Sequence, residues 1–571
     1  MPPKKQYSYQ EDMPYAKEPL KTLYVCQRMF TTLVMVAWWA LYYSVMPRSY
    51  RPRPSWTVKC CIAVNFTRRI YKVTELAGVT WGTRDPDQPC DNRKLKRTRF
   101  EWVDPLPEEL RTGIIADPQV PFKRVGCFVW PKERPKIIPT CPGKAESHAD
   151  EELMDGGEFE AAAGEVPVIG IFLHGGGYCH MSAHEGAPTS QIPERLMRDK
   201  VFTEIHAVEY RLLQHAPFPA AVQDAAAVYA HIVERHQRRG SKKAGSSRSE
   251  VTVHGEEETT KKDTHDMMDY LAADSRDYQM QAKHKRENDE IHARVAEVVA
   301  HTHCKIVLIG DSAGGNLVLA LARWIRDEGV LPPPDALLLL SPSCDPSHAF
   351  PETPSCYVPR PHADTDYLVD TPEPRALLQR TFLGHNPVET MHSPYVSPAS
   401  SRVLRAFYGD AFAESVADLT IAQLDDHHRE FLRTMCSVPA TPVPSTPIIG
   451  GGGYANGHAR GSPRLAFVTG PPEAASDDQD RSPTSLAHPI IASPRGLSLF
   501  TEFPKTCVVL GDAERLEREV MRLVGAMERD GVDVHTIWVK DAPHDVLMMG
   551  WWDEKVRDAV WAQIEEWVRR V

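Results

Sequence analysis

The chain has 571 residues, long enough for more than one average domain, and its 42% apolar and 25% charged content is ordinary for a globular protein. A net charge of −11 excludes a dedicated nucleic-acid binder, whose footprint would be basic. Twelve scattered cysteines, with no CxxC pair and no His/Cys cluster at zinc spacing, predict an ordinary thiol population and no metal site.

Taken in chain order, residues 1–60 read as an amino-terminal segment preceding a domain that fills 61–571. Within the segment, residues 29–46 (MFTTLVMVAWWALYYSVM) form an uncharged run of 18 residues, the lower limit for crossing a bilayer as a helix. Trp38, Trp39, Tyr42 and Tyr43 gather toward one end and Arg48, Arg51 and Arg53 follow, as interfacial aromatics and basic flanks do. The pattern predicts a membrane anchor, spanning or lying in the interface, with a packed core or cap helix as the alternative. Such an anchor implies a membrane-associated protein, for instance at the endoplasmic reticulum; without it the cytoplasm is the expected setting.

Three stretches bury too little apolar surface to offset the entropy of ordering them. Residues 144–165 are acidic, 238–292 are charged and without apolar period, and 438–497 are rich in Pro, Gly and Ser. They read as low-complexity insertions in a body of roughly 300–350 residues, the size of one α/β domain. That body alternates apolar strands (168–173, 205–210, 305–309, 336–340, 506–510, 534–539) with helical segments (219–235, 313–327, 375–383, 516–530). The alternation predicts an α/β fold: a mostly parallel central sheet with helices on both faces and the chemistry at the carboxyl ends of the strands.

Three motifs follow predicted strands directly. In IVLIGDSAGGNLVLALARW (306–324), Gly310-Asp311-Ser312-Ala313-Gly314 matches G-x-S-x-G where an apolar strand turns into a helix. A serine there is held clear of the backbone at a helix amino end, placed to be a nucleophile; the bland reading is a small-residue helix start. In IFLHGGGYCH (171–180), His174-Gly175-Gly176-Gly177 lets backbone N–H groups approach a developing oxyanion. Gly175, Gly176 and the N–H of Ala313 are the expected hole, with His174 and Gly177 completing the motif. In VKDAPHDVL (539–547), His544 falls where a general base belongs in the order serine, acid, histidine. Its neighbour Asp545 is expected to do no more than bond locally. The segment CVVLGDAERLEREV (507–520) offers Asp512, Glu514 and Glu517; position alone does not choose between Asp512 and Glu514 as the acid, and Glu517 reads as part of a solvated helix face.

Together these residues resemble the hormone-sensitive-lipase-like branch of the α/β-hydrolase superfamily, which includes membrane-anchored arylacetamide deacetylases and steryl acetyl hydrolases. The shared blocks are HGGGY (174–178), YRLLQHAPFPAAVQDAAAVY (210–229), GDSAGGN (310–316), LLLLSP (337–342), SPYVSP (393–398) and APH (542–544). The family spacing G-x-x-D/E-x-L-x-x-E fits Gly511, Glu514, Leu516 and Glu519, so the resemblance favours Glu514 as the acid and leaves Asp512 as the alternative. It also implies an apolar pocket under an amino-terminal helical cap drawn from about residues 50–120. The implied chemistry is cofactor-free acyl transfer through an acyl-enzyme, on short-acyl esters of lipophilic alcohols such as steryl acetates. An amidase using the same triad and a non-catalytic small-molecule receptor on the same fold are the alternatives. Two departures stand out: Leu213-Gln214-His215-Ala216 where the family has APEH, and Asp545-Val546 where it has Gly-Phe.

Overall fold

The computed structural model describes residues 8–133, 166–244, 304–351, 357–417 and 497–571. The insertions expected at 144–165 and 438–497 lie outside the described residues, except for residue 497. Of the third, 238–292, only 238–244 are described, and they continue a helix.

An eight-stranded sheet forms the centre, in the order β1-β2-β4-β3-β5-β6-β7-β8. The strands are β1 (Arg99–Val103), β2 (Val125–Trp130), β3 (Val168–Leu173), β4 (Glu204–Glu209), β5 (Lys305–Asp311), β6 (Ala336–Leu340), β7 (Lys505–Gly511) and β8 (Val534–Val539). From β4 to β8 all neighbours pair in parallel, while β1–β2 and β2–β4 are antiparallel. β6, Ala336–Leu340, is buried at every residue, as a strand covered on both faces must be. The mostly parallel sheet is the one the strand–helix alternation predicts, and the fold is the α/β-hydrolase fold that the motif resemblance implies. The two antiparallel strands were not anticipated: no helix separates them, so the alternation that reveals the other strands is missing. The region expected to supply a cap, 50–120, therefore also contributes an edge strand to the sheet.

The helices are α1 (Tyr9–Asp12), α2 (Leu20–Val45), α3 (Val58–Ala77), α4 (Gln191–Arg198), α5 (Ala220–Ala244), α6 (Ala313–Glu328), α7 (Pro372–Leu383), α8 (Ser401–Tyr408), α9 (Asp410–Ala417), α10 (Glu517–Arg529) and α11 (Glu554–Arg569). No helix among the described residues is long and apolar enough to cross a membrane. The expectation of a spanning anchor at 29–46 is thus corrected. The run belongs to α2, one face of which is tied to α3 by polar bonds. Arg69 Nε donates to Thr32 Oγ1 at 2.8 Å, and Asn65 Nδ2 donates to the Tyr43 hydroxyl at 3.3 Å. Its other face is exposed at Leu23, Phe30, Leu33, Val34, Trp38, Leu41 and Val45.

The chain leaving β4 is clamped by Arg211. Its Nε reaches both carboxylate oxygens of Asp224 at 3.1 and 2.9 Å, Nη2 reaches Gln223 Oε1 at 2.9 Å, and Nη1 donates to the Pro121 carbonyl at 2.8 Å. Both members of the ion pair are buried, so removing one strands the other's charge away from water. Arg211→Ala should lower the unfolding free energy by about 3 kcal/mol or more, measured by denaturant titration. A midpoint equal to the parent's would show that the clamp carries no such weight.

Candidate functional site

The carboxyl ends of β3, β5, β7 and β8 deliver the motifs to one rim of the sheet. Register makes this possible: Gly310 of β5 sits opposite Leu173 of β3 and Leu339 of β6, and Gly511 of β7 sits opposite Val539 of β8. The turn from β5 into α6 is very tight. A Cβ on Gly314 would collide with the Leu173 carbonyl oxygen, so only glycine lets helix and strand come this close. Ser312 itself has φ +50°, a strained value for a non-glycine residue, held by its N–H to the Leu340 carbonyl at 2.8 Å.

Across this turn, Ser312 Oγ lies 2.8 Å from His544 Nε2. On the other side of the ring, His544 Nδ1 is 3.8 Å from Glu514 Oε2. That exceeds a hydrogen bond, yet Nδ1 and Glu514 Oε1 are both buried without a hydrogen-bond partner among the described residues. A modest torsion of either side chain would join them. Glu514 is meanwhile braced by the Ser341 hydroxyl, which donates to Oε2 at 2.6 Å. Burial lifts the Glu514 carboxyl to about 8, partly offset by His544. Asp512, the alternative acid, points its chemistry elsewhere: its carboxylate accepts the Asp541 N–H at 2.6 Å. Glu517 pairs with His362 at Nε2. The structure therefore brings together serine 312, histidine 544 and glutamate 514.

The glycine loop differs from expectation in one donor. The N–H of Gly175 is taken by Asp311 Oδ1 at 2.9 Å, leaving it unavailable for an oxyanion. Gly176 and Gly177 instead line the cavity beside Ser312 and Ala313. Gly176 has φ +107°, and a Cβ there would meet the His180 carbonyl oxygen at 2.6 Å, so the loop needs glycine at that point. His174 sits behind the loop, stacked on Tyr210 with centroids 4.4 Å apart, and burial lowers it to about 4, leaving it neutral. Its part is structural support.

Asp545, expected to be incidental, is at the centre of the site. Its Oδ2 lies 3.1 Å from His544 Nε2, the same nitrogen that faces Ser312. One ring nitrogen has one lone pair or one proton, so it cannot serve both partners fully at once. Burial opposes charge on His544, but Asp545 and then Glu514 outweigh it and raise the ring to about 10. Burial lifts Asp545 as well, with His544 opposing. The replacement of the family's glycine by aspartate was visible in the sequence; that its carboxylate turns back onto the ring was not.

These groups open into a cavity of about 1080 Å³, including solvent at its mouth. Two aromatic pairs stand in its walls, Tyr71 against Tyr367 at 5.2 Å and Tyr178 against Phe382 at 4.9 Å. The amino-terminal segment reaches over it: Met13 lines it, and Tyr9 is held by its N–H to Thr381 Oγ1 and by its hydroxyl to Gln214 Oε1. Gln214 is one of the residues where the chain departs from the family loop, and its partner is this segment.

The model of a family described as alpha/beta hydrolase fold matches residues 170–258 and 260–410. No curated protein matches the chain at a significant level. Among solved structures, the chain is similar to a hormone-sensitive lipase from a metagenome library, at 15% identity and a TM-score of 0.36, covering 78% of this chain and 82% of that one. It is also similar to EstE5 soaked with ethyl alcohol (15%, 0.39, 90% and 98%) and to a bacterial heroin esterase (15%, 0.39, 84% and 86%).

The ring environment has a measurable consequence. Nitrogen-15 NMR of the histidines should find His544 titrating near 10, far above the ordinary 6.5. Because the folded value is the higher one, the ring proton stabilises the fold fully below pH 6.5, and that contribution fades as pH rises toward 10. Asp545→Asn and Glu514→Gln should each lower the titration, whereas Asp512→Asn should leave it in place. A His544 ring titrating at or below 6.5 in the parent protein would overturn this account.

Proposed function

We propose that this chain, a protein of the α/β-hydrolase fold, is a serine-dependent carboxylic ester hydrolase. The observation that supports the reading best is the 2.8 Å approach of Ser312 Oγ to His544 Nε2 at the wall of a substrate-sized cavity. In the proposed reaction Ser312 attacks the ester carbonyl carbon while His544, in its neutral form, takes the hydroxyl proton at Nε2. Glu514 steadies the imidazolium from the Nδ1 side. The N–H groups of Gly176, Gly177 and Ala313 receive the oxyanion; the hole proposed here thus omits Gly175. The leaving alcohol takes the proton from His544, and water, activated by the same ring, releases the acyl group. No cofactor or metal enters the scheme. The aromatic walls suit short-acyl esters of lipophilic alcohols, steryl acetates among them.

Incubation with a fluorophosphonate should label Ser312, and p-nitrophenyl butyrate should be hydrolysed. Ser312→Ala should reduce kcat by about 10⁴-fold or more and Glu514→Gln by about a hundredfold or more. Turnover that persists in Ser312→Ala, or a label on another residue, would refute the assignment.

We further propose that α2 lies on a lipid surface rather than across it. Its outward residues recur at three- and four-residue spacing from Leu23 to Val45, a mostly apolar stripe. Exposed Lys17 precedes the helix and exposed Arg48 follows it, matching the charge of an anionic membrane surface. α2 packs on α3, whose Tyr71, Thr74 and Glu75 line the cavity, so a lipid-bound stripe would bring lipophilic esters near it. The protein should co-float with vesicles containing phosphatidylserine, and the pair Leu33→Glu with Val34→Glu should abolish flotation while leaving p-nitrophenyl butyrate hydrolysis intact. Equal flotation of parent and variant would remove α2 as the contact.

A further inference from the structure

Resting on the ester-hydrolase reading for its substrate, a second inference concerns the carboxylate that the proposed triad does not use. We propose that Asp545 is the charge selector of the cavity: it recognises an ammonium group carried by the ester beside the scissile carbonyl and disfavours esters that carry a carboxylate there.

The side chain is 5% exposed and lines the cavity, and its Oδ1 has no hydrogen-bond partner among the described residues. Its backbone has φ +50° and donates its N–H to Ser341 Oγ at 3.2 Å, and its Oδ2 is held 3.1 Å from His544 Nε2. The charges that act on it are His544, attractive, and Asp366, repulsive. Arg375, a cation in the cavity wall, answers instead to Asp370 and Glu75, and Glu75 is itself bonded to Lys72 Nζ at 3.1 Å. A second carboxylate, Asp311, also borders the cavity with one oxygen, Oδ2, lacking a hydrogen-bond partner among the described residues, and Asp545 repels it. Two buried carboxyl oxygens beside Ser312, Asp545 Oδ1 and Asp311 Oδ2, thus stand without a hydrogen-bond partner among the described residues. Around them stand the faces of Tyr71, Tyr178, Tyr367 and Phe382, the setting in which desolvated ammonium groups bind.

The geometry also links recognition to reactivity. In the resting site Oδ2 occupies Nε2, the nitrogen that Ser312 needs as its proton acceptor. An ammonium group seated on the carboxylate takes over that interaction, and the ring loses the charge partner that holds its proton. The Nε2 proton is released to water at the cavity mouth, and the freed lone pair faces the Ser312 hydroxyl. A neutral ester binds without this exchange, and an anionic one places its carboxylate against Asp545.

The test compares esters of equal shape and different charge. Acetylcholine and 3,3-dimethylbutyl acetate place the cation in the alcohol; leucine methyl ester and methyl 4-methylpentanoate place it in the acyl part. In at least one pair, kcat/KM should favour the cation by about tenfold, the scale of a desolvated ammonium interaction. Both Asp545→Asn and Asp545→Gly, which tolerate the left-handed backbone, should bring the ratio to near one, whereas a purely structural role would slow both members of a pair alike. A parental ratio near one in both pairs, or a ratio that survives in both variants, overturns the proposal. Calorimetry with choline and 3,3-dimethylbutanol on Ser312→Ala separates it from the catalytic reading. Choline binding that is lost when Asp545→Asn is added, without Ser312-dependent turnover of any ester, upholds the selector and sinks the hydrolase; turnover without charge preference does the reverse.

Discussion

One contact organises the site: a hydroxyl and a ring nitrogen meet at 2.8 Å although 232 positions separate them in the chain. The sheet makes that meeting possible. β5 and β8 are joined through β6 and β7 in parallel register, so the loops carrying Ser312 and His544 emerge on the same rim. Ser312 accepts an unfavourable backbone conformation to face the ring, and the surroundings hold it there: glycines allow α6 to press against β3 and β5, and the Leu340 carbonyl fixes the serine N–H. Loosening that turn would release the strain and lose the contact together.

The second governing fact is a surplus of buried carboxyl groups around a single imidazole. Glu514, Asp545 and Asp311 all lie within the protein, and burial pushes each toward its neutral form. His544 answers by holding its proton more tightly than a free histidine does. Such a cluster keeps few net charges but many alternatives for where a proton sits, which suits a reaction whose central event is moving one. It also leaves Asp545 Oδ1 and Asp311 Oδ2 at the cavity wall without hydrogen-bond partners among the described residues.

The departures of this chain from the family pattern fall where the structure has altered its covering. Gln214 meets the Tyr9 hydroxyl, so the loop after β4 helps fasten the amino-terminal segment over the cavity. Asp545, next to His544, adds a carboxyl group to the cavity wall where the resembled pattern has glycine. α2 turns its polar groups toward α3 and its apolar groups outward, which explains why a hydrophobic run of such length still forms a packed helix rather than a span.

What the sequence determined by itself is what short-range periodicity and residue size encode. Apolar runs of five to seven residues followed by small residues mark β3, β5 and β6, because a strand buried on both faces admits little else. G-D-S-A-G marks the tight turn at Ser312, because only small side chains let strand and helix cross there. The same logic fails for β1 and β2, whose antiparallel pairing needs no helix between them, and for the run at 29–46, where hydropathy cannot tell an outward face from a bilayer span. Only the tertiary structure separates Glu514 from Asp512, takes Gly175 out of the donor set, and turns Asp545 onto the ring. Those outcomes depend on strand register and on the angle at which loops leave the sheet, quantities fixed by packing among residues hundreds of positions apart and written in no local pattern.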